Sequence, residues 1–159
     1  MTLRIRFGEL ADVPLIAELI RGLARYERLE DQVVMTEEKL TDSLFGERPY
    51  AETLIAEDDG QPAGFALFFH NYSTFLAQPG IYLEDLFVVP EKRGAGIGRA
   101  LLARLAQIAV ERNCGRLEWS VLDWNKDAIG FYERLGAKPN SEWTVYRLSG
   151  EPLRALAGE

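Results

Sequence analysis

At 159 residues the chain has the length of one ordinary domain, and 47% hydrophobic with 27% charged residues is the composition of a globular protein with its own core. A formal net charge of −7 disfavours nucleic acid, whose phosphates need a basic face, and is compatible with a cationic small molecule or with solubility alone. One cysteine, Cys114, excludes an internal disulfide and points to a reducing compartment.

The opening "MTLRIRFG" lacks the apolar core of a signal peptide, and "GFALFF" is too short to cross a bilayer. A cytoplasmic protein without a membrane partner is expected. No repeat, low-complexity tract or linker interrupts the chain, so residues 1–159 read as a single domain.

"LRIRFGE" alternates and reads as a first strand. "DVPLIAELIRGLARYERL" carries Leu15, Ile16, Leu19, Ile20 and Leu23 on one helical stripe, with Asp12 as the expected N-cap and Pro14 in the first turn. "TEEKLTDSLF" opens with a Thr-x-x-Lys cap region, Thr36 to Lys39, and reads as a short helix. "AETLIAEDDGQPAGFALFFHNY" reads as two strands joined at the Asp-Asp-Gly turn. "GIYLEDLFVV" is apolar on both sides, the pattern of a central strand.

"GRALLARLAQIAVERN" places Leu101, Leu102, Leu105, Ile108 and Ala109 on one face and stops at Asn113-Cys114-Gly115. "RLEWSVLD" is a strand. "NKDAIGFYERLG" is a helix with Asn125 as N-cap and Gly136 as its stop. "EWTVYRLS" is the expected last strand. The order β-α-α-β-β-β-α-β-α-β is mixed α/β around one sheet.

The segment Arg93-Gly94-Ala95-Gly96-Ile97-Gly98 stands between a strand and a helix. A Walker A loop needs Gly-Lys-Ser/Thr, and Arg99 follows Gly98. A dinucleotide fingerprint needs G-x-G-x-x-G, and the spacing here is G-x-G-x-G. An R-x-x-G-x-G loop remains. Its glycines and the following helix N-terminus could cradle a pyrophosphate, or form a tight turn without a ligand.

Context bears on that choice. "LARYERLEDQVVMTEEKL", "FGERPY", "YLEDLFV", "RGAGIG" and "WNKDAIGFYERLGA" together resemble the GCN5-related N-acetyltransferase (GNAT) family, and within it the diamine (spermidine/spermine) acetyltransferase branch with its thialysine-acetylating relatives. The similarity runs from about Leu3 to Leu148. Ala95 and Arg99 depart from the aromatic and the serine usual at those positions.

The resemblance implies a mixed sheet with a splayed strand pair, flanked by helices, and an acetyl-CoA-dependent N-acetyltransferase for a small cationic amine. It implies direct attack by the amine in a ternary complex. The cosubstrate would lie along Leu86, Phe87 and Val88, with a backbone N–H near Phe87 or Val88 polarising the acetyl carbonyl. Its pyrophosphate would rest on Gly94, Ala95, Gly96, Ile97, Gly98 and Arg99, with Arg93 closing the turn. Asn125, Lys126, Asp127 and Ala128 would flank the thioester.

The resemblance also makes Glu84 the residue that takes the amine proton and Tyr132 the donor to the leaving thiolate. Tyr26, Glu27, Glu84, Glu118, Trp119, Ser120 and, by approximate match, Glu142 would contact the amine. The resemblance further implies a homodimer that shares its clefts, and "EWTVYRLS" reads as a strand with edges for pairing. Strand alternation alone sends Glu84 and its neighbour Asp85 to opposite faces, which argues against a catalytic dyad.

Each assignment has a plainer alternative. Glu84 could sit in a structural ion pair, Tyr132 could be a packing residue, and Glu27, Glu30, Asp31, Glu37 and Glu38 could be a solvated acidic face. A protein or drug amine is an alternative acceptor, and a non-catalytic acyl-CoA sensor an alternative function. His70, the sole histidine, has no cluster around it, and no metal site is expected.

Overall fold

The first strand, β1 (Leu3–Phe7), leads through a short 3-10 turn into α1 (Val13–Tyr26), and α2 (Glu37–Phe45) follows. A computed structural model describes residues 1–159. The remaining elements are β2 (Glu52–Asp58), β3 (Gln61–Ser73), β4 (Gln78–Val88), α3 (Ile97–Glu111), β5 (Leu117–Trp119), α4 (Lys126–Arg134) and α5 (Gly150–Leu156). They form two compact units, Met1–Ser120 and Val121–Glu159.

The first unit holds a five-stranded sheet in the order β1-β2-β3-β4-β5. The first three pairings are antiparallel, and β4 runs parallel to β5. The β2–β3 turn forms where expected, because Asp59 (φ 51°) and Gly60 (φ 80°) both take the left-handed backbone that a two-residue hairpin needs.

One sheet face is covered by α1 and α2. Ile16, Leu19, Leu23, Leu40 and Leu44 pack there with Ile55, Phe65 and Phe87, and Leu67 lies against the cluster. The other face belongs to α3. Arg112 at its C-terminal end lies 5.9 Å from the Phe68 ring and donates to Nε2 of His70 at 2.9 Å. His70 and Arg112 are thus structural, with Arg112 also clamping Glu52 at 2.7 and 3.0 Å.

Two local expectations hold in detail. Thr36 caps α2 by accepting from the Lys39 N–H at 3.1 Å, and Asn125 caps α4 by accepting from the Ala128 N–H at 3.3 Å. A third changes partner. Asp12 stands at the N-cap position of α1, but its carboxylate makes no cap bond to that helix. It takes two bonds from Arg6 and one from the Glu9 N–H instead.

The end of the chain differs from expectation. "EWTVYRLS" belongs to no ladder; residues 142–149 are irregular, and α5, which the sequence pattern does not announce, follows. Alternation supplies strand propensity, but a strand exists only where a neighbouring edge takes its hydrogen bonds. The expected strand "RLEWSVLD" is likewise shortened to three residues.

Candidate functional site

β4 carries the candidate residues Glu84 to Val88, and its register is irregular at the first of them. Leu67 of β3 stands opposite Asp85, while the next residue, Phe68, stands opposite Leu83. Glu84 is therefore an extra residue on β4, a β-bulge. Before it, Ile81 and Leu83 share the α3 face with His70 and Phe68. Tyr82 pairs with Phe69 on the α1 face, and alternation puts Glu84 there as well. After the bulge the phase is reversed. Asp85 and Phe87 stand opposite Leu67 and Phe65, again on the α1 face.

Both carboxylates thus share one face, contrary to plain alternation. The cause is simple: alternation assumes an unbroken pleat, and the bulge inserts one residue.

Glu27 joins them from the C-terminal end of α1, where it is the C-cap. The electrostatics register the grouping. Burial first, then the charges of Glu84 and Glu27, push the Asp85 carboxyl up to about 7. Burial first, then the charge of Glu84, raises Glu27 above the usual carboxylate range. Glu84 is exposed and Asp85 half-buried.

β5 adds to the same face. Glu118 pairs with Tyr82, and its carboxylate accepts from the Asn71 amide at 3.2 Å. Ser120 Oγ lies 2.7 Å from the Tyr82 hydroxyl. Trp119 pairs with Leu83, so register places it on the α3 face rather than beside Glu118 and Ser120.

The parallel pairing of β4 with β5 ends at Leu83 and Trp119, although β4 continues to Val88. Residues 84–88 therefore have no strand on that side. The Val89 N–H bonds to Ala63 on the β3 side at 2.9 Å. Alternation then turns the Phe87 N–H toward β3 and those of Leu86 and Val88 toward the opening. Sequence alone could not choose among these amides.

Arg93 closes the strand-to-loop passage. Its Nε donates to the Val88 carbonyl at 2.9 Å, and its guanidinium lies over the rings of Tyr26 (4.8 Å) and Phe87 (5.4 Å). This link between the loop and the end of α1 had no signal in the sequence, since it needs residues far apart in the chain.

Gly94 (φ 84°) and Gly96 (φ 83°) are left-handed, and a Cβ on either would meet nothing within 4 Å. The loop is open, and Gly96 is the N-cap of α3. The first helical N–H groups, those of Ile97, Gly98 and Arg99, have no intrahelical acceptor. Ala95 and Arg99 are exposed, and Ile97 is buried as the anchor of the helix. Left-handed glycines running into a helix N-terminus fit the pyrophosphate of acetyl-CoA.

In the second unit Asn125 is buried as the α4 cap, Lys126 and Asp127 are exposed, and Ala128 is half-buried. Tyr132 is half-buried on α4, its ring centre 5.5 Å from that of Phe131. Glu142 is exposed in the irregular segment.

Known proteins resemble this chain in sequence and in fold. The chain is 42% identical to a thialysine N-epsilon-acetyltransferase from Bos taurus, over 98% of this chain and 97% of that protein. It is 35% identical to an L-ornithine N5-acetyltransferase from Arabidopsis thaliana, over 96% and 87%. An integron cassette protein from V. cholerae superposes with a TM-score of 0.84 at 30% identity, covering 100% of this chain and 99% of that one. Residues 17–137 match the model of the acetyltransferase (GNAT) family. The protein is an N-acetyltransferase with acetyl-CoA as its acyl donor, and the chain belongs to the GNAT family.

Proposed function

We propose that the acceptor is the terminal primary amine of a small diamine, polyamine or lysine-like amino acid, of the kind represented by thialysine and ornithine. The observation that carries this reading is the grouping of Glu27, Glu84 and Asp85 on one face of the bulged strand. Three carboxylates held together suit a cation with more than one positive charge. The names of the relatives support the same class.

The reaction needs a neutral amine. An alkylammonium with pKa ~10.4 costs about 4–5 kcal/mol to deprotonate near neutrality. Glu84 takes that proton, directly or through water. The amine lone pair then attacks the acetyl carbon, whose oxygen is held by the Leu86 or Val88 N–H in the opening of the sheet. The C–N bond forms, the C–S bond breaks, and Tyr132 protonates the departing thiolate. The half-buried phenol on α4 and the match of "GFYERLG" to the family motif support that role.

We further infer that residues 1–159 work as one acetyltransferase domain, supported by a family match that runs unbroken over 17–137. We also infer a cytoplasmic homodimer. The unpaired Cys114 supports a reducing compartment, and Trp143 (76% exposed) and Tyr146 (93% exposed) support an association that covers them. No helix is long and apolar enough to cross a membrane.

The experiment is a panel of amines assayed with acetyl-CoA by thiol release. Thialysine, ornithine and short diamines should be turned over faster than a monoamine of equal length. Preference for a peptide or an aminoglycoside would overturn the assignment.

A further inference from the structure

Plain strand alternation would carry Asp85 away from Glu84, toward the packing of α3. The bulge at Glu84 does the reverse, placing Asp85 beside Leu67 on the face that Glu84 and Glu27 share. A carboxylate brought into a half-buried position next to two others is costly unless something compensates it. No such compensation is present. Asp85 has no ion pair, and the charges that raise it, those of Glu84 and Glu27, are both negative.

The titratable and charged groups on this side of the sheet can be named element by element, and of them Glu84 and Glu27 act on Asp85. Glu84 and Tyr82 come from β4, and Glu27 from the end of α1. Glu118 comes from β5, already bonded to Asn71. Arg93 comes from the loop, with its guanidinium over Tyr26 and Phe87 and its Nε on the Val88 carbonyl. Glu84 is exposed and open to solvent, whereas Asp85, on the same face, is half-buried.

We propose that Asp85 is a second proton-handling carboxylate of the acetyl-transfer site, receiving by way of Glu84 the proton that the substrate ammonium loses. The inference rests on the amine acetyltransferase reading above. Asp85 acts through Glu84 and does not touch the amine, so it is a positioning and relay residue.

The proton balance is complete. The ammonium gives one proton to Glu84, which passes it to Asp85. The neutral amine attacks, and the C–S bond breaks as Tyr132 gives its proton to the departing sulfur; the second nitrogen proton leaves the adduct to water and, through water, restores the Tyr132 phenol. Asp85 then loses its proton to water and resets. A carboxyl held near 7 can both accept and release a proton at neutral pH, whereas an ordinary carboxylate accepts one poorly.

The test is the pH dependence of turnover from about pH 5.5 to 9, with saturating acetyl-CoA and the best amine of the panel. Wild type should show an acid limb, active when Asp85 is ionised and falling as pH drops through about 7. Asp85→Asn should lower turnover about 10²-fold and abolish that limb. Asp85→Glu should restore part of the rate and a limb.

Glu27→Gln removes a like charge and leaves Asp85 in place, so the limb should move to lower pH. This variant tests the relay equally well should Asp85→Asn fail to fold. A limb unmoved by Glu27→Gln, or retained in folded Asp85→Asn, overturns the relay. Absence of turnover with every amine in wild type instead overturns the functional reading itself, so the two failures are distinct.

Discussion

The Arg93 guanidinium lies 4.8 Å from the centre of the Tyr26 ring. The first residue of the glycine loop is thereby joined to the end of α1, one residue before Glu27. The same side chain bonds the Val88 carbonyl. An exposed cation–π contact contributes about 0.5–1 kcal/mol and a hydrogen bond about 1 kcal/mol. Arg93→Met should therefore raise KM for both acetyl-CoA and amine by about tenfold, with kcat changed less. Arg93→Lys, which keeps the charge but not the Nε bond, should fall between. A Met variant with unchanged KM for the amine would show that the contact with Tyr26 does not organise that side of the site.

Gly96→Asp places a side chain and a negative charge at a left-handed residue that faces open space. Nothing within the folded chain collides with the new Cβ, so the folding cost is confined to backbone strain of about 1–2 kcal/mol. The loss of acetyl-CoA affinity should be much larger if the loop cradles the pyrophosphate, because the new carboxylate would repel it. Calorimetric titration of the folded variant checks this, and wild-type affinity would remove the loop from cosubstrate binding.

Tyr132→Phe removes only an oxygen and keeps the ring beside Phe131. A phenol of pKa ~10 is matched to a leaving alkyl thiolate, and loss of a general acid costs about 10²–10⁴-fold in turnover. That fall is expected, with folding and acetyl-CoA affinity little changed. A packing role predicts near-silence in turnover, measured where chemistry is rate-limiting.

Asp12 gives a prediction about stability rather than catalysis. Hydrogen bonds from Arg6 at 2.7 and 2.9 Å hold its carboxyl below the usual carboxylate range, helped by the Glu9 N–H. A lowered folded-state pKa stabilises the fold above the unfolded value of ~3.9, and that contribution is lost as pH falls through the lower folded value. Asp12→Asn should cost about 1–3 kcal/mol at pH 7, lowering Tm by several degrees. Its deficit relative to wild type should shrink in strong acid. Thermal melts between about pH 2 and 7 check both statements; a deficit constant over that range would mean that the charge is not what matters.

Much of the molecule was legible residue by residue. The helical stripe of Ile16, Leu19 and Leu23 packs as its spacing demands, because helix periodicity is a local property. Thr36 and Asn125 cap their helices, since a cap needs only a side chain and an amide three residues on. The R-x-x-G-x-G loop opens α3 with two left-handed glycines, a conformation that glycine alone adopts freely. These features depend on neighbours within a few positions, and the sequence states those neighbours directly.

Three features depended on partners outside their own helix or strand. Asp12 left its helix for Arg6, because a charged bidentate partner outcompetes a cap bond. Residues 142–149 kept the alternation of a strand yet formed none, because pairing requires an edge and not only a pattern. Above all, Glu84 and Asp85 share a face only because β3 sets Leu67 opposite Asp85 and Phe68 opposite Leu83. Which carboxylates stand together is a matter of strand register, and register is fixed by the packing of two strands against each other.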